Sequence, residues 1–229
     1  TCFQANYYAK KLSHITAFSL KSAGNLKMGS NRHHGYFDWG REATNQKEQL
    51  YTNYTQIGFM HKTNYRINNN HNILLNTQYS RSSNIYRFDK MNDIKNGELK
   101  YLNWYYGPQI RLFQSINYVS KYKTFFFDKV KTVLAFQDIK ESRHTQQPEE
   151  VLLNNRHENV KIYDINMDFN KQIKKTQLTY GIGLREQKVC SNANLSDNNS
   201  TTYNTTRYPE NGSAIEDFFA YSQIKFRVN

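Results

Sequence analysis

Cysteine, proline and glycine are all scarce in this chain, and no long apolar run occurs anywhere in it. Its 229 residues include 2 cysteines, 3 prolines and 10 glycines. Cys2 and Cys190 lie far apart with no CxxC spacing, so a zinc site has no support, and a disulfide between them is left open. No apolar stretch reaches about 18 residues, and mean hydropathy is -0.87, which excludes a transmembrane helix on length alone. Only helices and closed barrels satisfy every backbone group inside a bilayer, so any membrane passage here must be made by strands. A metalloprotease HExxH, a nucleophile elbow, a Walker loop and a dinucleotide fingerprint are all missing. Gly181-Ile182-Gly183 lacks the following helix that the last of these needs. No catalytic group, metal site or cofactor is expected. Thr1-Cys2-Phe3-Gln4 has neither the basic start nor the apolar core of a leader, so the chain is expected to begin after one or inside a longer protein.

What the sequence does have is alternation. Tyr163, Ile165, Met167 and Phe169 interleave with Asp164, Asn166, Asp168 and Asn170, the period of a strand with one oily and one wet face. Comparable patterns predict about nine strands, near 4–10, 14–28, 54–67, 72–80, 109–119, 124–139, 159–170, 176–185 and 214–228. In the second, Phe18, Leu20, Leu26 and Met28 are in phase. Pro108, Pro148 and Pro209 fall outside these strands or at their starts, where a missing amide donor is tolerated.

The connections alternate between a few residues, such as Asn68-Asn69-Asn70-His71 and Lys171–Lys175, and twenty or so. Tight turns at one end and long loops at the other are the habit of outer-membrane barrels more than of soluble sandwiches. The expected fold is therefore all-β: an antiparallel up-and-down transmembrane β-barrel wall, with short periplasmic turns and long extracellular loops. Nine is not an even count, and an open strand edge is not viable in lipid, so the wall is expected to be part of a larger barrel. His61 and Gln114 run against the pattern. Both fall on faces assigned to lipid, which requires a bulge or a position near the headgroups.

Lysine and arginine total 31 against 19 acidic residues, a formal charge of +12. The cations are scattered and form no block. A basic surface also suits a soluble β-protein that grips single-stranded nucleic acid through stacked aromatics. That alternative needs aromatics beside Lys and Arg on one face. Tyr65, Tyr79, Tyr118, Tyr163, Phe169 and Tyr180 instead fall on the apolar face, so nucleic acid is not an expected partner. A passive porin is a further alternative.

Several stretches, taken in order, resemble the barrel of TonB-dependent outer-membrane receptors, most closely the form found in Bacteroidetes-type bacteria. They are FDWGRE at 37–42, NTQYSRSSNIYRFDK at 76–90, LKYLNWYYGPQIRL at 99–112, FQDIKESRH at 136–144 and NVKIYDINMDFNK at 159–171. The resemblance runs from about residue 13 to 227. It implies a 22-stranded barrel in the bacterial outer membrane, filled by a plug domain, that imports a scarce nutrient such as an iron chelate, haem or cobalamin. Transport would be energised through the TonB complex. Plug, TonB-contacting box and C-terminal strand signature are missing from 1–229, so the chain is expected to be a partial barrel domain. Its partners would be membrane lipid, the plug of the same parent chain and the nutrient.

Candidate ligand contacts lie in the long loops. Trp104, Tyr105 and Tyr106 offer an aromatic surface for an apolar ligand, or an interfacial girdle leading into a Gly-Pro turn. Arg87 and Asp89, with Lys90, can pair with charges on ligand or plug, or form an ordinary surface ion pair. His33 or His34 can reach haem iron, one at a time because neighbours on an extended segment point apart. The stripe of Asp164, Asn166, Asp168 and Asn170 spreads its oxygens too far along one strand for calcium, and fits the lining of a wet lumen.

Overall fold

The computed structural model describes residues 1–27, 48–197, 199–209 and 211–226. Nine long strands run through one antiparallel sheet in chain order: β1 Cys2–Tyr8, β2 Leu12–Ala23, β3 Tyr54–Arg66, β4 His71–Ser82, β5 Ile110–Ser120, β6 Lys129–Gln146, β7 Leu153–Ile173, β8 Thr176–Ser196 and β9 Ser213–Phe226. Each pairs with its sequence neighbour, the up-and-down topology that alternation and turn spacing predict.

The oily positions line up across the sheet. One register row passes through Leu75, Ile116, Leu134, Ile165, Leu184 and Phe218. These side chains meet no second layer: Ile165 is 44% exposed and Leu184 54%. Buried hydrophobics among the described residues are Met91, Trp104, Val130 and Ala193, far too few for a soluble core. The sheet is a single layer with an oily outside, the construction of a membrane β-barrel wall.

The other face is polar and internally bonded. Arg185 Nε donates to Asp164 at 2.7 Å, Asn166 bonds Asp164, Tyr221 OH donates to Asp168 at 2.7 Å, and Thr179 Oγ1 donates to Asn170 at 2.9 Å. The acidic-polar stripe of β7 is thus satisfied by β8 and β9, as a lumen lining requires. Gly181 and Gly183 sit under two aromatic rings from β9. A Cβ at Gly181 would lie 2.5 Å from the Tyr221 ring, and one at Gly183 would lie 2.2 Å from Phe219. The glycines make room for rings lying flat across their neighbours, which pins the β8–β9 register.

His61 and Gln114 do face the apolar side, and no bulge lies there: the β2–β3, β3–β4 and β4–β5 registers are continuous. The imidazole solves its problem locally. One ring nitrogen of His61 meets Thr16 Oγ1 at 2.8 Å and the other meets Thr63 Oγ1 at 3.0 Å, while His14 bonds the same Thr63 at 2.8 Å. Gln114 lies beside Thr77 in a shallow hollow of about 550 Å3.

The strand ends differ from expectation in several places. Strand β6 begins at Lys129, because 121–128 is a folded eight-residue turn. Strands β6, β7 and β8 then run to 18, 21 and 21 residues, so the expected long loop through Pro148 shrinks to 147–152. A bilayer needs about 9–11 residues per strand, and the excess protrudes. Beyond Phe136, Tyr163 and Leu184 the alternation changes phase. Asp138, Lys161 and Lys188 continue the formerly oily face, while Ile139, Val160 and Val189 pair on the opposite one. Strand β2 stops at Ala23, and Leu26 joins a separate two-strand ribbon with Gln49. Met28 lies outside the described residues. Cys2 and Cys190 are both free and exposed, so no disulfide joins them.

Candidate functional site

The long-loop end is dominated by the β4–β5 connection, which folds back onto the protruding part of β6. Asn103–Tyr106 pairs antiparallel with Arg143–Gln146, and Tyr105 and Tyr106 pair on their other side with Tyr86 and Ile85. Because a strand alternates, its residues are dealt to two faces. Trp104 and Tyr106 go to one, Tyr105 to the other.

The face shared by Trp104 and Tyr106 continues the polar, inward side of the wall. Trp104 is 7% exposed. Its amide donates to Met91 Sδ at 3.1 Å, and its carbonyl accepts from the Arg87 amide at 3.1 Å. The Arg87 guanidinium lies over the indole, 4.9 Å from the ring centroid, and grips Asp89 through two N–H groups. This fork holds the Asp89 carboxyl below the usual carboxylate range and raises Arg87, against the opposing effect of burial. Tyr106 stands edge-on to Trp104 at 5.0 Å. Arg87, Asp89, Trp104 and Tyr106, four of the residues singled out from sequence, therefore form one structural unit.

Directly beside it are two cations that sequence reading passed over. Tyr106 is opposite Arg143, which is opposite Arg156. Like charges facing each other across a strand pair destabilise the sheet, and no carboxylate among the described residues lies within ion-pair distance of either. The Arg156 Nε–H is buried and has no hydrogen-bond partner. The arrangement is a shelf with aromatic walls and two facing arginines; one row lower on the same face Glu141 is opposite Glu158, and below that lies the apolar set Ile139, Val160 and Val189. It can take an anionic group against the arginines and an apolar body against the rings and aliphatic row.

Tyr105 belongs to a different construction. Its ring stacks on His144 at 4.6 Å and leans on Tyr86 at 4.9 Å, with His157 5.5 Å beyond His144. His144 is fixed by Asn155 at 2.6 Å and Ser142 at 2.9 Å, and Asn155 donates to Asn194 and Ser196. Burial pushes the Tyr105 hydroxyl above its ordinary pKa. Gly107 is required here for space, since a Cβ would come 2.0 Å from Ser142 Oγ and 2.8 Å from His144 Nε2. The stack fastens the loop to the sheet.

His33 and His34 lie outside the described residues, so the structure does not place them. At the long-loop ends of β2, β3, β4 and β5, the polar face carries a groove of about 740 Å3 lined by Ser19, Lys21, Gly58, Gln78, Ser80 and Arg111 among others. No cluster of three or more potential metal-ligating His, Cys, Asp or Glu side chains occurs among the described residues.

A single-layer antiparallel wall, oily outside and polar inside, defines this chain as part of a transmembrane β-barrel. Its structure is similar to the copper transporter OprC, with a TM-score of 0.71, 7% identity, and coverage of 97% of this chain and 31% of that one. It is also similar to the FrpB iron transporter from Neisseria meningitidis (F3-3 variant), with a TM-score of 0.60, 12% identity, and coverage of 81% and 28%. At such identities the likeness establishes the fold. The chain spans less than a third of the length of either structure. No family model matches the sequence, and no curated protein does.

Proposed function

We propose that the chain is part of the wall of a TonB-dependent outer-membrane transporter. In this reading the parent protein imports a scarce nutrient, and the inward shelf at the long-loop end captures it. The observation that carries the reading is the facing of the sheet. Oily rows lie open on one side and a bonded polar lining lies on the other, in a wall that superposes on two metal transporters over most of its length. The groove around Gly58 and Arg111 then receives a plug domain of the parent chain. Its small polar side chains make a wet contact that can slide when the TonB complex pulls on the plug.

Arg143 and Arg156 have no carboxylate at ion-pair distance among the described residues and stand beside Trp104 and Tyr106, so they can bind an anionic group of a nutrient whose apolar or aromatic body lies on the rings. Among iron chelate, haem and cobalamin, this suits an anionic iron chelate or haem. The test is uptake by cells expressing the full-length parent protein, with labelled ferric chelate, haem and cobalamin supplied in turn. Energy-dependent uptake of an anionic substrate, reduced about tenfold or more by Arg143→Ala with Arg156→Ala, is expected, the size of one or two lost charge-assisted contacts. Diffusive uptake insensitive to collapse of the proton gradient would make the barrel a passive pore instead.

A further inference from the structure

The turn between β5 and β6 exposes an unusual amount of oil at the short-turn end. Phe125 is 88% exposed and Phe126 70%, packed edge-to-face against each other at 5.3 Å. Two rings that meet little protein beyond each other are a large unpartnered apolar surface, and such surfaces mark a contact site. The turn is closed by its own bonds. The Thr124 amide donates to the Phe127 carbonyl at 2.7 Å, and the Phe127 amide donates back to Thr124 Oγ1 at 3.0 Å. Lys171 Nζ donates to the Thr124 carbonyl and to Asp128, and the Gln172 amide donates to Asp128. The rings are therefore presented by a built loop.

The direction of the turn identifies what it meets. Phe127 packs on Phe169 at 5.6 Å, and Tyr180 OH donates to the Phe126 carbonyl at 3.0 Å. Phe169 and Tyr180 are opposite each other on the oily face, and Lys171 shares it. The turn thus leans over the membrane-facing side and extends the oily belt past the end of the strands. Around it stand Lys121, Lys123, Lys174 and Lys175, all exposed. The short turns at 9–11, 67–70 and 174–175 contain no acidic residue, and the sole acid of 121–128, Asp128, is tied to Lys171.

We propose that this turn is a lipid anchor. Phe125 and Phe126 insert into the acyl region of the leaflet at the short-turn end, while the neighbouring lysines hold the phosphates of anionic glycerophospholipids. Aromatic rings at the boundary and cations at the headgroups are the two favourable placements there. The inference rests on the membrane reading of the wall and adds to it a specific lipid contact.

Two tryptophan probes distinguish the anchor from the wall. Full-length protein carrying Phe126→Trp, and separately Ile165→Trp in the mid-sheet belt, is reconstituted into vesicles holding brominated phosphatidylglycerol in phosphatidylcholine, or the reverse labelling at equal mole fraction. Each signal is taken as the difference from the parent protein. Quenching of the Phe126→Trp indole by brominated lipid is expected. It should be about fivefold more effective per brominated phosphatidylglycerol than per brominated phosphatidylcholine, the size of one lysine–headgroup contact. Lys121→Gln with Lys123→Gln should reduce that preference. Quenching at Ile165→Trp with none at Phe126→Trp overturns the anchor and leaves the wall intact. Equal quenching by the two lipids overturns the anionic assignment. No quenching at either position contradicts the membrane wall itself.

Discussion

The lower and upper halves of β6, β7 and β8 are the same strands with different outward faces, oily below and polar above. Between Tyr163 and Phe169 the odd-numbered side chains of β7 are oily and look outward, each matched across the sheet by another oily residue such as Leu134 or Leu184. Between Asn155 and Lys161 the outward side chains are polar, and the inner face holds a single apolar row, Ile139, Val160 and Val189, before Glu158 and Arg156 make it charged. Strand pairing runs through the change without a break, so the backbone does not register it. Only the solvent outside has changed, from acyl chain to water. The continuous oily face is confined to the half that meets lipid; in the other half both faces are mostly polar, and one apolar row remains inside.

Charge substitutions break this comparison most sharply. Ile165→Arg places a cation in the belt and should cost about 2–4 kcal/mol of folding into bilayers. Val160→Arg, five residues away and inward, should cost less than about 1 kcal/mol. Denaturant titration of both variants in vesicles checks the pair. Next in size is the ring-over-glycine seam of β8 and β9. Gly183→Ala drives a methyl into the Phe219 ring and should cost about 1–3 kcal/mol, recovered in large part by adding Phe219→Ala; the same titration reads it.

Smaller effects separate the two faces of the folded-back loop. Tyr105→Ala removes the stack on His144 and should loosen Arg143–Gln146 by about 1 kcal/mol, seen as faster amide hydrogen exchange there. Tyr106→Ala should leave that exchange unchanged and, on the proposed function, reduce nutrient uptake by the full-length parent protein. The smallest effect is the acid response of the Arg87–Asp89 fork. The depressed Asp89 pKa means its contribution is complete above the ordinary aspartate pKa of about 3.9. It is lost as pH falls below that value through the folded one. Both side chains are more than a third exposed, so screening keeps the effect under about 1 kcal/mol. Faster exchange at Phe88–Met91 below about pH 4, abolished by Asp89→Asn, is the expected result.

The sequence was most legible where one face meets lipid. Within belt segments such as Ile57–Tyr65, Val130–Phe136 and Tyr163–Phe169 one face keeps a period of two, and each predicted belt strand exists with the predicted side outward. It was least legible where the period is kept and the phase is not. The predicted strands end at 139 and 185, where alternation falters, although the strands run on to Gln146 and Ser196. The shelf was half readable. Arg87, Asp89, Trp104 and Tyr106 stand out by residue type, whereas Arg143 and Arg156 are ordinary basic residues until the β6–β7 register sets them opposite each other. Tyr105 could be separated from its neighbours only once Trp104–Tyr106 was known to be extended.

The change of face in β7 can be measured residue by residue. A nitroxide scan from position 155 to 170, in a background with Cys2 and Cys190 replaced, compares relaxation by dissolved oxygen with relaxation by a water-soluble nickel chelate in vesicles. Oxygen should win at 163, 165, 167 and 169 and lose at the positions between, with the nickel chelate prevailing at the outward positions 155, 157, 159 and 161. Oxygen dominance continuing at alternate residues through 157, or no alternation along 163–169, would contradict a wall that leaves the bilayer near Tyr163.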